Sequence, residues 1–257
     1  MNNVFIPSTD EPEKSLIKIL KKHSGRDSSG HVSVRHQGGR QKRYYRTIDF
    51  KRDKRDQPAT VLKIEYDPNR NAHIALVKYE DSELRYIIHP VDLKIGDKVI
   101  AGENVEVVTG NALPLKNIPV GIQVHNIEIL PGQGGKVVRG AGGAAVVIAR
   151  EDKHVQLKLP SGETKRFIKD CYATIGMVGN ISHKDEVIGK AGRKILMGIR
   201  PTVRGTAQDP RSHPHGGGEG RVGEGMHPKT PWGKPARGKK TRNKKKWTRK
   251  LIINRRK

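Results

Sequence analysis

The feature that most restricts the fold of this chain is the segment of residues 229–257. Its 29 positions hold 14 Lys or Arg residues and no Asp or Glu. Such a segment cannot fold by itself, because like charges repel and few apolar side chains are available to bury. We expect it to thread along a polyanion or to remain disordered. The whole chain has a net charge of +25 at pH 7, so nucleic acid is the expected partner and an anionic membrane surface the second candidate.

The composition limits the size of the cores. Hydrophobic residues make up 33% and aromatic residues 4% of the chain, below the globular average, so we expect small cores. Cys171 is the only cysteine, which excludes an intrachain disulfide and a Cys-x-x-Cys zinc site. Residues 1–10 lack a signal-peptide pattern, and the longest apolar run, residues 144–149, is too short to cross a bilayer. These observations favour a soluble intracellular protein without membrane association.

Apolar residues alternate with period two through much of the chain, which predicts short β-strands. Strands at residues 60–66, 73–79, 84–88 and 97–101, with a turn at 67–71, predict an OB-like barrel. Strands at residues 120–130, 135–138, 144–150, 155–159 and 164–168 predict an SH3-like barrel. Residues 13–23 fit a short helix. We therefore predict an all-β protein with an N-terminal extension (1–34), an OB-like RNA-binding barrel (35–115), an SH3-like barrel (116–198) and an extended basic C-terminal tail (199–257).

Residues 35–46 form the first candidate contact surface. This run holds five Lys or Arg residues and no acidic residue. Two glycines allow backbone to approach a phosphate, and a tyrosine pair can stack on bases. A solvated basic loop is the alternative. Arg70, in the turn at 67–71, is expected to be displayed rather than packed.

A glycine-rich loop at residues 139–145 carries almost no side chains apart from Arg139. A β-bulge or barrel corner is one interpretation. The other is a smooth backbone surface laid against RNA, with Arg139 contacting a phosphate, and both can hold together. The glycine spacing fits neither a Rossmann nor a Walker loop.

The run His-Pro-His-Gly-Gly-Gly-Glu-Gly-Arg at residues 213–221 has an unusual composition. Three consecutive glycines are expected only where backbone passes close to something, and phosphate oxygens or base edges are natural partners. A flexible surface loop is the alternative. A zinc site at His213, His215 and His227 would lack a rigid frame, and Ser212 beside His213 is not a triad. General acid–base chemistry by His213 and Glu219 has no pocket to support it.

Several motifs together resemble the ribosomal protein L2 family of the large subunit, and most closely its bacterial and organellar members. They are Glu-Tyr-Asp-Pro-Asn-Arg at 65–70, Asn-Ile-Pro-Val-Gly at 117–121, Val-Arg-Gly-Thr-Ala at 203–207, Asp-Pro at 209–210, the run at 213–221, and Thr-Pro-Trp-Gly at 230–233. They follow the family order from about residue 31 to residue 257. Arg40, Gln208, Arg211 and Ser212 depart from the family pattern, and the region before residue 30 is shorter than usual.

The resemblance implies an OB-like barrel and an SH3-like barrel bound to large-subunit rRNA. It also implies a C-terminal extension that runs towards the peptidyl transferase region, with roles in subunit association and tRNA binding. Arg70 and Arg139 correspond to the family's RNA-binding arginines. His213 corresponds to the histidine discussed for peptidyl transfer, which we interpret as a structural RNA contact.

We therefore predict a structural rRNA-binding protein and not an enzyme; a non-ribosomal basic DNA- or RNA-packaging protein is the alternative. The expected partners are large-subunit rRNA, neighbouring ribosomal proteins, the small subunit and, indirectly, tRNA, on a cytoplasmic rather than organellar ribosome and without homo-oligomers. No cofactor or protein-held metal is expected, and Mg²⁺ only as an ion bridging to rRNA. The predicted rRNA contacts are Arg35, His36, Arg40, Arg43, Tyr44, Arg46, Arg70, Arg139, Gly142, Gly143, Arg193, Arg204, His213, His215, Gly216, Gly217, Gly218, Arg221, Trp232, Lys239, Lys240, Arg242, Lys244, Lys245 and Lys246.

Overall fold

The structure is a computed structural model that describes residues 11–243 and 245–255. Lys244, one of the predicted rRNA contacts, lies outside the described residues, as does the first part of the predicted N-terminal extension. The chain divides into two compact units. The barrel unit comprises Met1–Leu20, Arg43–Val187 and Trp247–Lys257, and the glycine-rich unit comprises Lys21–Lys42 and Ile188–Lys246. Within the described part, no helix is both long and apolar enough to cross a membrane.

Antiparallel strands make up nearly all regular structure of the barrel unit. The strands are β1 Ile17–Ile19, β2 Tyr44–Arg46, β3 Ala59–Glu65, β4 Ile74–Tyr79, β5 Leu84–Ile88, β6 Lys98–Val99, β7 Ala112–Pro114, β8 Gln123–His125, β9 Ala145–Arg150, β10 His154–Lys158, β11 Thr164–Ile168, β12 Tyr172–Ile175 and β13 Ile252–Asn254. They form a β1–β2 pair, a four-stranded sheet in the order β5-β4-β3-β6, and a seven-stranded sheet in the order β13-β11-β10-β9-β8-β12-β7. The prediction of an all-β fold, OB-like and then SH3-like, is confirmed.

The OB-like sheet is buried on both faces. Along β4, Ala75 and Val77 join one core cluster, while Ile74 and Leu76 join another that includes Tyr86. Successive side chains of a strand point to opposite faces, so the alternation places one core on each side of the sheet. The β3–β4 hairpin is thus rigid where it reaches its connecting turn, which carries Arg70.

The SH3-like sheet encloses the largest core cluster of the unit. Leu113, Val147, Leu157 and Phe167 are all nearly inaccessible to solvent there. Each comes from a different strand, and their burial stabilises the sheet by roughly 1.5–3 kcal/mol per side chain. This core fixes the loops that follow β8 and precede β9, where Arg139 lies.

Strand β13 lies within residues 229–257, the segment expected to thread along a polyanion or to remain disordered, and it is ordered by pairing with the barrel unit. It pairs antiparallel with β11, with Thr164 opposite Asn254 and Lys165 opposite Ile252. The Arg166 amide also donates to the Leu251 carbonyl over 2.7 Å. An apolar Leu-Ile-Ile triplet at residues 251–253 interrupts the basic sequence and supplies the β-forming side chains.

Other boundaries differ from the sequence-based expectations. The helix predicted at residues 13–23 is wrong: a short 3-10 turn, Lys14–Leu16, leads directly into β1, which pairs with β2. The strand expected at residues 120–130 is confined to β8, and no strand forms at 135–138. Strands β2, β7 and β12 were not predicted. Each of these three has only three or four residues, too few for a periodic pattern to be recognised.

In the glycine-rich unit, residues 36–41 run beside residues 196–200. The Gly38 amide donates to the Gly198 carbonyl at 2.9 Å, and the Arg200 amide donates to the His36 carbonyl at 2.9 Å. A Cβ atom on Gly38 would lie 2.7 Å from the Arg200 side chain, so a larger residue here would displace that side chain. The α-helix α1, Ala191–Leu196, comes just before this pairing. Residues 35–42 therefore group with this unit, although the sequence placed them at the start of the OB-like barrel.

Candidate nucleic-acid interface

Two arginines of the barrel unit share one aromatic ring. The guanidinium carbon of Arg139 lies 4.5 Å from the centroid of the Phe50 ring, and that of Arg70 lies 5.8 Å from the same centroid. Both distances are within cation–π range, which contributes about 0.5–1 kcal/mol for each pair at exposed sites. The side chains of Phe50, Arg70 and Arg139, the arginine–phenylalanine cluster, thus bring two guanidinium groups to one aromatic ring of the barrel unit.

Arg70 is held by a buried carboxylate. The Asp67 side chain is fully buried and accepts a hydrogen bond from Arg70 Nε at 2.6 Å, while only 15% of the Arg70 side chain is exposed. The other oxygen of Asp67 accepts from the amide and side chain of Asn69, at 2.8 and 2.9 Å. The expectation that Arg70 is displayed rather than packed is therefore wrong. A buried carboxylate needs a counter-ion, and removing that partner costs about 3–5 kcal/mol.

Arg139 is the exposed member of the cluster, and a buried glutamate organises its surroundings. Glu128 accepts hydrogen bonds from the amides of Gly134 at 2.8 Å, Gly132 at 3.2 Å and Tyr172 at 3.0 Å. The adjacent Gly135 amide donates to the Phe50 carbonyl at 2.8 Å, and its carbonyl accepts from Arg139 at 3.3 Å. Glu128 thereby fixes the loop that positions both the Phe50 backbone and Arg139.

Strand β2 lies beside the turn that carries Arg70. Asn69 donates a side-chain hydrogen bond to the Tyr44 carbonyl at 2.6 Å, and Arg43 donates to the Pro68 carbonyl. The Tyr44 residue is 43% exposed, so its ring is accessible for stacking, whereas Arg46 is half-buried. The basic run predicted at residues 35–46 is therefore divided: only residues 43–46 belong to the barrel unit.

Gly142 and Gly143 form a corner of the barrel unit. The Gly142 amide donates to the Val178 carbonyl at 3.0 Å, and the Val178 amide donates to the Gly143 carbonyl at 3.1 Å. Gly142 has a left-handed φ of +63°, and a Cβ atom on Gly143 would lie 2.9 Å from the Gly140 carbonyl oxygen. The corner interpretation describes this arrangement. Because the Gly142 amide already has a partner within the chain, Arg139 is the better-placed donor for a phosphate.

The histidine–glycine run of the glycine-rich unit is a packed loop. His213 and His215 are each only 8% exposed, and their ring centroids lie 5.2 Å apart. A Cβ atom on Gly205 would lie 2.4 Å from the His213 ring, and one on Gly216 would lie 2.4 Å from the Asp209 carbonyl oxygen. The flexible-loop alternative does not fit this packing. The two imidazoles organise the loop, and its solvent-exposed part consists of residues 217–221.

The hydrogen bonds of His215 define its protonation state. The Lys229 amide donates to Nε2 at 2.8 Å, so Nε2 carries no proton. Nδ1 lies 3.0 Å from the Glu224 carbonyl oxygen and is therefore the protonated nitrogen. The His215 amide donates to Nδ1 of His213 at 3.1 Å. With both ring nitrogens of His215 engaged, this histidine is not free to bind a metal.

The structure offers little support for a catalytic nucleophile or a metal centre. Across residues 11–243 and 245–255, no group of three or more His, Cys, Asp or Glu side chains is placed to hold a metal ion. Cys171 is buried, and its burial, together with the nearby charge of Glu128, raises the pKa of its thiol to about 12. Thiolate is the nucleophilic form, so this cysteine is chemically inert at neutral pH.

The remaining predicted contacts of the glycine-rich unit are distributed over its surface. Trp232 is 71% exposed, and the Arg35 guanidinium carbon lies 5.7 Å from its ring centroid. Arg40 is half-buried, and its Cβ atom lies close to Gly198. The other predicted contacts in this group are all exposed: His36, Arg193, Arg204, Lys239, Lys240, Arg242, Lys245 and Lys246.

Two residues of the candidate interface, Phe50 and Glu128, were not singled out from the sequence, and Asp67 was noted only as part of the turn and motif at residues 65–71. Phe50 is one of only three phenylalanines in the chain. It stands between Asp49 and Lys51, where an isolated aromatic residue could have drawn attention. Glu128 is separated from Phe50 by 78 positions and shows no local signal. Their roles depend on contacts between distant segments.

Comparison with known families agrees with this architecture. A family model described as "Ribosomal Proteins L2, RNA binding N-terminal domain" matches residues 13–101. A second, described as "Ribosomal Proteins L2, C-terminal domain", matches residues 108–233. The first match contains the OB-like sheet with Phe50 and Arg70, and the second contains Arg139 and the histidine–glycine loop. The chain therefore belongs to the ribosomal protein L2 family and has the RNA-binding, structural role of that family in the large ribosomal subunit.

Proposed function

We propose that the barrel unit binds folded large-subunit rRNA through the arginine–phenylalanine cluster, with Arg139 as its principal phosphate contact. The observation that carries this proposal is the geometry of Arg139. Its side chain is exposed, its guanidinium stacks on Phe50, and its loop is held by Glu128. A guanidinium fixed in this way loses little freedom on meeting a phosphate, with which it can form paired charged hydrogen bonds.

Charge supplies the affinity of this interaction. The net charge of +25 is balanced when the chain lies on RNA, and each neutralised phosphate releases counterions. A-form RNA displays phosphates, 2′-hydroxyls and helix shape rather than readable base edges, so a protein of this kind recognises folded RNA mainly by shape. The rigid barrel unit provides the fixed surface, and the basic residues after 229 provide charge along crevices of the RNA.

Membership of the family suggests more specific roles on the ribosome. We propose that the glycine-rich unit supports the architecture of the peptidyl transferase region and, indirectly, tRNA binding. We further propose that the chain contacts neighbouring ribosomal proteins and helps the small subunit to associate, as a monomer on a cytoplasmic ribosome. It acts without catalysis or a cofactor of its own, and Mg²⁺ takes part only by bridging to rRNA. The buried, hydrogen-bonded imidazoles of His213 and His215 support a structural rather than chemical role for this loop.

The test compares Arg139→Ala with Arg150→Ala, which removes another exposed arginine of the barrel unit outside the cluster. Affinity for large-subunit rRNA is measured by filter binding over a salt titration. Arg139→Ala should lower affinity by about tenfold, the value of one charged hydrogen bond, and reduce the salt slope by about one. Arg150→Ala should change both less. Arg70→Ala is unsuitable because it would leave Asp67 buried without a counter-ion and so destabilise the fold.

Equal losses for both arginine variants would show that only net charge matters, and the proposed role of Arg139 would be abandoned. Competition with double-stranded DNA at matched salt tests the packaging alternative. A protein that reads folded RNA should retain its rRNA in the presence of excess DNA. Sedimentation of the native chain with large subunits on a sucrose gradient tests the ribosomal location directly.

A further inference from the structure

Trp232 stands at the tip of a tight turn in the glycine-rich unit. The Thr230 amide donates to the Lys234 carbonyl at 2.7 Å, and the Gly233 amide donates to the Thr230 carbonyl at 2.9 Å. Gly233 has a left-handed φ of +75°, and Pro231 has a restricted φ of its own. These constraints hold the backbone on both sides of the indole, which is nevertheless 71% exposed. An indole this exposed is unusual, because tryptophan side chains are on average largely buried.

The base of this turn is anchored by His215. Lys229 immediately precedes the turn, and its amide donates to Nε2 of the buried imidazole. On the other side, the Ala236 amide donates to the Pro228 carbonyl at 2.8 Å. The histidine–glycine loop and the Trp232 turn are therefore parts of one hydrogen-bonded arrangement. Because the backbone around the indole is already held in place, the indole would lose little conformational freedom on binding a partner.

One face of the indole already has a cation. The Arg35 guanidinium lies over the ring, and the high exposure of Trp232 leaves the opposite face accessible. A planar group with a π-face fits that open face, and a guanidinium close by can attract a phosphate of the same nucleotide. A base inside a helix has both faces covered by its neighbours, so only an unpaired base can stack there.

The surrounding charge favours a nucleotide over an apolar protein partner. From residue 229 to residue 243 there are six Lys or Arg residues and no acidic residue. A hydrophobic protein partner would have to bring these charges into a desolvated interface without compensation, whereas RNA neutralises them.

We propose that Trp232 is a stacking platform for one unpaired nucleobase of the rRNA, with Arg35 on its opposite face. This inference rests on the proposed rRNA-binding function and names the element of RNA that the glycine-rich unit recognises. It assigns the histidine–glycine loop a mechanical role, which is to hold the platform in place.

The test uses the full chain carrying Trp247→Phe, so that Trp232 is the only tryptophan and reports stacking through its fluorescence. The probes are single-stranded octaadenylate and inorganic polyphosphate of matched charge, each titrated at several salt concentrations. Octaadenylate should quench the Trp232 emission, because base stacking brings the base against the indole. Polyphosphate should bind without comparable quenching. Equal quenching by the two polyanions would overturn the proposal.

Two variants in the Trp247→Phe background separate stacking from charge. Trp232→Ala should weaken octaadenylate binding by about tenfold, whereas Trp232→Phe should retain most of the affinity because it keeps a π-face. Binding is followed by the anisotropy of a labelled oligonucleotide, and the salt slope should be the same in all three proteins. Unchanged affinity in Trp232→Ala would refute the platform while leaving rRNA binding through Arg139 intact. Loss of preference for rRNA over DNA in every variant would instead contradict the proposed function.

Discussion

His125 makes the stability of the barrel unit depend on pH between about pH 4 and pH 6.5. The residue lies on β8 and is completely buried; its Nδ1 donates to the Gly176 carbonyl at 2.8 Å. Nε2 has no hydrogen-bond partner among the described residues. A proton on Nε2 would therefore be a buried, unpaired charge close to Arg52. Burial above all, together with the charges of Arg52 and His89, lowers the pKa of His125 from 6.5 to about 4.

The direction and size of this pH effect on stability follow from the difference in proton binding between the unfolded and folded chains. Between pH 6.5 and pH 4 the unfolded chain binds a proton at residue 125 and the folded chain does not, so acid favours unfolding. A difference of about 2.5 pKa units corresponds to roughly 3 kcal/mol lost across this window. That is a substantial part of the 5–15 kcal/mol typical of a folded domain. Burial also lowers the pKa values of His73 and His89, which adds to the same trend.

The variant His125→Asn isolates this contribution. The asparagine amide can replace the Nδ1 donor to Gly176 but cannot take up a proton, so its stability should depend less on pH. Urea unfolding followed by far-ultraviolet circular dichroism, from pH 7 to pH 4.5 at constant ionic strength, gives the free energy of unfolding. The wild-type slope should exceed that of His125→Asn by about 1.4 kcal/mol per pH unit.

A control variant is needed to separate the effect of the His125 site from the effect of replacing a histidine elsewhere in the barrel unit. His154→Asn, at a half-buried position of β10, is the matched control, and its slope is compared with that of His125→Asn. The lower strand propensity of asparagine shifts the absolute stability of both variants, but not its dependence on pH. Parallel curves for wild type and His125→Asn would refute the reasoning.

Two further predictions concern the interface. Phe50→Leu removes the aromatic ring that orients the Arg139 guanidinium, so binding of large-subunit rRNA should weaken by up to about fivefold, the value of one cation–π contact. Filter binding would detect this, and an unchanged affinity would mean that the ring does not position Arg139. Gly205→Ala places a methyl group within 2.4 Å of the His213 ring, whereas Gly223→Ala meets nothing within 4 Å. Limited proteolysis should therefore cleave the histidine–glycine loop faster in Gly205→Ala alone, and equal rates in both variants would contradict the packing described.

Local patterns predicted the strands but not the contacts between distant segments. The alternation in β3, β4 and β11 is long enough to be recognised, and the motif at residues 65–70 identified Arg70. Its burial could not be predicted, because it depends on the burial of Asp67 and on Phe50, an aromatic residue outside the motif. The same limit applies to His215, whose partners are the backbone of Glu224 and Lys229. The composition of residues 213–221 indicates that this segment is unusual, but it does not show that the segment forms a packed loop.

The pairing of β13 with β11 has a consequence for biosynthesis. Ile252 is polymerised 84 residues after Ile168, a delay of roughly 4–17 s at typical translation rates of about 5–20 residues per second. Throughout that interval the outer edge of β11 exposes unpaired amides and carbonyls, which another nascent chain could engage. The most basic part of the sequence is made during the same interval. Newly made copies are therefore vulnerable to misassociation at this edge until β13 has been made, and early capture by RNA would protect them.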